Sequence, residues 1–198
     1  MDENVDKWIR FLDPENLKGN LLATSLYIAF YESFKDSVVE QVKFFYNTGF
    51  NEEGDTFSSD YQKKVLSKDK KVLNASLKWL QELGAIDNND LQKTKEIIDF
   101  RNKITHEMFD SIFNGVSQDL PKHFVDLITL KIKIEKWWIL NIEIPTNHDP
   151  GSDSEINENG IITSTEILYK VISDVLSDDE KTAAYYRNEF WKPRINKN

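Results

Sequence analysis

Apolar residues recur at steps of three and four along most of this chain, the period of a helix that buries one face. From Pro14 to Tyr46 the series Leu22, Leu26, Phe30, Phe34, Val38, Val42 and Phe45 predicts one long helix. Asp13 offers its N-cap and Pro14 its first helical position. The tract Asn47 to Asp60 is polar, carries two glycines and reads as a loop. Val72, Leu73, Leu77 and Leu80 predict a second helix from Lys68 to Leu83, with Gly84 as its stop. A turn at Asp87 to Asn89 is expected to cap a third helix from Asp90 to Phe113, closed by Asn114 and Gly115. A fourth, from Leu120 to Asn141, carries Phe124, Leu127, Ile128, Ile132, Ile134, Trp138 and Ile139. Its β-branched run from Ile128 to Ile144 also has strand propensity. Four helices with short connections between the last three predict an all-α fold, an antiparallel four-helix up-and-down bundle over residues 1–144.

The pattern then changes. Residues 145–160, PTNHDPGSDSEINENG, hold two prolines, two glycines and four acids, and read as an acidic linker. Residues 161–198 read as a C-terminal helical appendage. Ile167, Leu168, Val171 and Val175 share one side of a helix from Thr163 to Leu176. Ser177 to Glu180 looks like a capped start to a short final helix with Tyr185, Tyr186, Phe190 and Trp191. Such an aromatic end is expected to dock rather than dangle.

One position breaks the helical pattern. With residue 97 as zero and about 100° per residue, Ile97, Ile104, Met108 and Ile112 cluster within roughly 80°, and Arg101 projects inside that arc. A cation on a buried stripe is costly unless it is paired or lines a cleft. Asn102 and His106, four residues apart, share the arc's far flank. The plain reading is that Arg101 snorkels past the core to an acid, Glu96, Asp99 or one on a neighbouring helix, and that His106 is an ordinary exposed residue.

The run Arg101, Asn102, Lys103, Ile104, Thr105, His106, an arginine followed directly by asparagine and separated by four residues from a histidine, resembles the HEPN superfamily motif. Its place on the third helix of a four-helix pattern strengthens the likeness, which covers roughly residues 15–142. The resemblance implies a small all-α, metal-independent endoribonuclease of toxin–antitoxin or phage-defence type. His106 would act as acid or base on the 2′-hydroxyl or the leaving 5′-oxygen, Arg101 would hold the phosphate, and Asn102 would orient them. It implies RNA as substrate, a homodimer joining two motifs in one cleft, and a possible protein antitoxin or regulator. The alternative is a non-catalytic helical module that binds RNA, a nucleotide or a partner protein. In relatives silenced by nucleotidylation a tyrosine stands two residues after the histidine; here Met108 stands there, which puts that mode of silencing in doubt.

Composition changes this picture in two respects. There is no cysteine among 198 residues, which excludes disulfides and thiolate chemistry. The net charge of −9 looks wrong for an RNA binder until it is divided along the chain. Residues 149–180 carry nine acids and one base, whereas 61–103 carry ten bases against six acids. His123 and His148 lack metal-ligand spacing to His106 or to each other, and the acidic tract lacks a calcium-loop pattern, so neither metal nor cofactor is expected. Trp137 and Trp138 read as core or interface anchors. The N-terminal run MDENVDKWIR has no apolar signal core and no apolar run reaches membrane-span length, so a cytoplasmic protein is expected.

Overall fold

The computed structural model describes residues 3–52, 54–147 and 160–176. The described residues are mostly helical, with one two-stranded sheet. They fall into two compact units, Met1–Ile134 and Glu135–Asn198. The division lies within a helix, ahead of the Pro145–Gly160 tract whose composition marks a linker.

The first unit opens with α1 (Glu3–Leu12), an element the periodicity did not announce, followed directly by α2 (Pro14–Phe44). Asp13 caps α2 as expected: its carboxylate accepts the Glu15 N–H at 3.0 Å, and Pro14 occupies the first turn. Tyr27, Phe30, Tyr31, Phe34, Val38 and Val42 form its buried face. Near the start of α2 this face differs from the aliphatic stripe read from sequence, because Leu22 stays exposed and the two tyrosines go inside. Tyr27 is admitted because its hydroxyl donates to the Ile97 carbonyl at 3.1 Å, so no polar atom is left unpaired. Burial pushes its phenol well above the usual range.

The tract expected as a loop is instead a hairpin, β1 (Asn47–Asn51) against β2 (Gly54–Phe57), antiparallel with an irregularity near Asn47. Gly54 sits at φ +116°, a conformation side chains disfavour, and Thr48 and Thr56 hydroxyls meet across the strands at 3.1 Å. A π turn at Tyr61–Val65 and a 3₁₀ turn at Leu66–Lys68 follow. The second helix therefore begins at Val72, later than expected, as α3 (Val72–Glu82). Its end is as read. Gly84 at φ +79° lets its own N–H reach the Gln81 carbonyl and the Ala85 N–H reach the Leu80 carbonyl, a Schellman closure.

The helix carrying the motif is α4 (Asn88–His106). Asp87 and Asp90 exchange side-chain-to-backbone hydrogen bonds in a capping box, and Lys133 pairs with both carboxylates. Ile97, Phe100 and Ile104 are buried. The helix was expected to continue to Phe113, but it breaks at Glu107 and restarts as α5 (Met108–Asn114). Thr105 supplies a local cause. Its hydroxyl donates back to the Arg101 carbonyl at 2.9 Å, a contact that bends helices, and β-branched Ile104 crowds the same turn. Met108 and Ile112 thus belong to a separate helix and do not continue the arc around Arg101.

The fourth predicted helix, α6 (Leu120–Trp138), forms despite its β-branched run, because Leu127, Ile128, Leu130 and Ile134 are buried at helical spacing. Within the first unit Tyr27 meets Phe100 edge-on at 5.3 Å, and Phe30 meets Phe124 at 5.2 Å.

In the second unit the chain passes from the end of α6 into a π segment at Ile139–Glu143 and α7 (Ile144–Asn147), not to a simple end at Asn141. After the undescribed tract, α8 (Ser164–Leu176) begins on a capping box between Thr163 and Glu166. The buried Glu135 carboxylate accepts the Thr165 hydroxyl at 2.6 Å, and Lys136 pairs with Glu166 at 2.8 Å. Trp138 is buried, as expected for an anchor, and Trp137 half-buried. Ile167, Leu168 and Val175 of α8 are exposed. The expected last helix with Tyr185, Tyr186, Phe190 and Trp191 lies outside the described residues, as do most of the linker and His148.

Candidate functional site

Arg101 leaves α4 on the flank of its buried stripe and turns toward α2. One Nη donates to the Glu32 carboxylate, and the other donates to the Asn102 side-chain oxygen at 3.3 Å. The guanidinium carbon lies 5.2 Å from the centre of the Tyr31 ring, in reach of its π face. The arginine side chain is 29% exposed and Glu32 is 32% exposed. The cation is therefore neither in the core nor in open water. Its Nε is buried without a hydrogen-bond partner.

Glu32 serves two cations. Lys35, one turn on, donates to its other oxygen at 2.6 Å. That bond, with the Arg101 contact behind it, holds the Glu32 carboxyl below its ordinary value, and in return raises the Lys35 ammonium. Burial raises the Tyr31 phenol, with Arg101 opposing the shift. The acid that compensates Arg101 is thus neither Glu96 nor Asp99 on its own helix but one 69 positions earlier.

The three motif residues are not brought to one point within a protomer. Arg101 and Asn102 touch, whereas His106 is exposed on the last turn of α4. Five residues on a 3.6-residue helix separate Arg101 from His106 by about 140° around the axis and about 7.5 Å along it. Among the described residues the His106 side chain has no hydrogen bond or ion pair. His123, the other described histidine, is occupied structurally: its ring stacks on Phe100 at 4.1 Å, and its Nδ1 is buried without a partner.

Beside Arg101 opens a cleft of about 680 Å³ between α2, the start of α3 and α4. Tyr31, Lys35, Lys71, Lys95 and Asn102 are on its walls, with Val39, Leu73 and Ile98 as apolar lining. Sequence reading singled out Arg101, Asn102 and His106 but not Glu32 and Tyr31, which the structure places against Arg101. Their one sequence signal was a Tyr–Glu pair with lysine three residues beyond the acid, beside a buried stripe. Among the described residues no group of three His, Cys, Asp or Glu side chains converges to hold a metal ion. None of the helices described is long and apolar enough to cross a membrane.

Compared with known proteins, the chain matches no family model, no curated protein and no solved structure.

Proposed function

We propose that this chain is a metal-independent endoribonuclease of HEPN type, a four-helix module that works as a homodimer. His106 takes the proton of a ribose 2′-hydroxyl, and that oxygen attacks the neighbouring phosphorus. The bond to the next nucleotide's 5′-oxygen breaks, the leaving oxygen takes a proton from water, and the imidazolium returns its own proton to the hydroxide left behind. The products are a 2′,3′-cyclic phosphate and a 5′-hydroxyl end. Arg101 of the second copy neutralises charge on the phosphate oxygens, and its neighbour Asn102 orients the guanidinium.

The observation that supports this reading best is the state of Arg101. It is partly exposed, bound to Asn102 and held by an acid and an aromatic ring, and two of its contacts, Asn102 and Tyr31, line an open cleft. A carboxylate in that position is the group a phosphate oxygen would replace. The angular separation of Arg101 and His106 favours two copies, since one helix does not present both side chains to one phosphate.

The test is cleavage of a mixed RNA pool in EDTA, with His106→Ala as control. Chelation-resistant cleavage that disappears in the variant is the expected result, and equal cutting by both proteins would sink the assignment. A toxin or defence role with a protein antitoxin, in the cytoplasm, is part of the proposal. It requires that expression of the wild type, but not His106→Ala, arrests growth of a bacterial host.

A second reading has an observation of its own. An arginine already tied to Glu32 is what a helix-to-helix fastening needs, and a non-catalytic binding module would use it so. Under that reading the wild type binds at the cleft and cuts nothing.

A further inference from the structure

We infer that the cleft between α2, α3 and α4 is the track for the phosphodiester backbone of single-stranded RNA, entering beside Asn102 and leaving past Lys71; this rests on the ribonuclease reading. Three recesses share their lining residues. The cleft of about 680 Å³ continues through Asn74 and Lys95 into one of about 340 Å³, and through Asn74 and Lys71 into one of about 660 Å³. The result is one groove from the motif to the 3₁₀ turn at Leu66–Lys68.

The groove is basic in a chain of net charge −9. Lys95 and Lys71 line it, with Lys70 beyond, and none of the three has a carboxylate partner among the described residues. An unpaired ammonium on a recessed wall is the donor a phosphate needs, because no existing ion pair has to be broken. The acids of the groove are mostly committed: Asp69 to Lys78 at 2.7 Å and to the Lys71 N–H at 3.0 Å, and Asp36 to Lys35 at 3.8 Å. Asp99 stands free of a cation among the described residues. It is the groove's repulsive element.

The shape selects a single strand. The recess lies between helices and carries apolar positions, Val39, Val72, Leu73 and Ile98, that accept base faces. A paired base has no face to offer them. A duplex is also too rigid to align its 2′-hydroxyl for attack on the neighbouring phosphorus. Lys95 and Asn102 lie seven residues apart on α4, about 10 Å along the axis, so a strand held at Lys95 reaches the motif without a bend.

The experiment measures binding of a labelled eight-nucleotide RNA by anisotropy, in the His106→Ala background so that nothing is cut. Adding Lys71→Glu with Lys95→Glu should weaken binding at least tenfold and reduce the slope of log affinity against log salt by about 1.4, two single-strand phosphate contacts. Lys122→Glu, an exposed lysine outside the groove, should change affinity less than twofold. Asp99→Asn should strengthen binding. Equal losses from the groove and Lys122 variants, or no binding at all, would overturn the inference. So would equal affinity for a dinucleotide and the eight-mer, which would make the cleft a mononucleotide pocket. Cleavage by the otherwise wild-type protein separates the two claims. Binding through the lysines without any cutting keeps the track and removes the ribonuclease, whereas cutting that ignores Lys71 and Lys95 does the reverse.

Discussion

Arg101 carries more of the argument than any other residue, and its environment makes two measurable commitments. Its bond to Glu32 is partly solvated, so the pair contributes about 0.5–1 kcal/mol, near the upper end for such pairs. Glu32 has a folded pKa below its unfolded value of 4.5, so its stabilisation is present above that value and disappears as pH falls through the lower folded one. Urea titrations of the wild type and Glu32→Gln should therefore differ by up to about 1 kcal/mol at pH 7, and the difference should shrink as pH falls below 4.5 and through the lowered folded value. A pH-independent difference would place the effect elsewhere. Arg101→Lys keeps the charge but loses the planar fork, and is expected to retain the fold while cleavage falls at least tenfold. The anomaly at Arg101 was legible because a cation on a buried stripe violates a simple rule. Its partner was not, because helical periodicity relates positions a few residues apart and Glu32 lies 69 away.

At the scale of elements, what could be read locally was read well. Asp13, Pro14 and Gly84 marked helix ends because each acts through its own backbone geometry. Gly84→Ala should cost about 1 kcal/mol, since the left-handed conformation at φ +79° burdens any Cβ, although no neighbouring atom blocks one. A thermal melt checks this, and an unchanged midpoint would mean that the Schellman closure contributes nothing. The errors share a cause as well. The Asn47–Asp60 tract lacks apolar alternation, yet two threonines facing across the strands and glycine at positive φ suffice for a hairpin. The break at Glu107 was invisible to periodicity because Met108 and Ile112 happen to extend the stripe of α4. A threonine hydroxyl turned back on Arg101 decided the matter, and such a choice depends on one rotamer. The consequence reaches the site: α4 stops at His106, which leaves the histidine on an open helix end instead of in the middle of a packed one.

The dimer is a claim about the whole molecule. Phe109, three residues past His106 on α5, is 86% exposed. A lone exposed aromatic is unremarkable by itself, but this one borders the residue that the mechanism requires to meet a second copy. If that surface is the seam, Phe109→Asp should shift the protein to monomer in sedimentation and remove cleavage with it; a dimer that persists would move the seam elsewhere. A sharper test uses the geometry of α4. On the two-copy proposal, Arg101 and His106, about 140° apart on one helix, reach a working site from different copies. Arg101→Ala and His106→Ala proteins should each be inactive alone. Unfolded together and refolded, they pair at random, so about half of the dimers carry one variant of each kind and bring one arginine and one histidine to the shared cleft. Cleavage should return in that mixture. If each variant is dead and the mixture is equally dead, although mixed dimers are present by mass spectrometry, both residues must act from the same chain. The two-copy site would then be wrong.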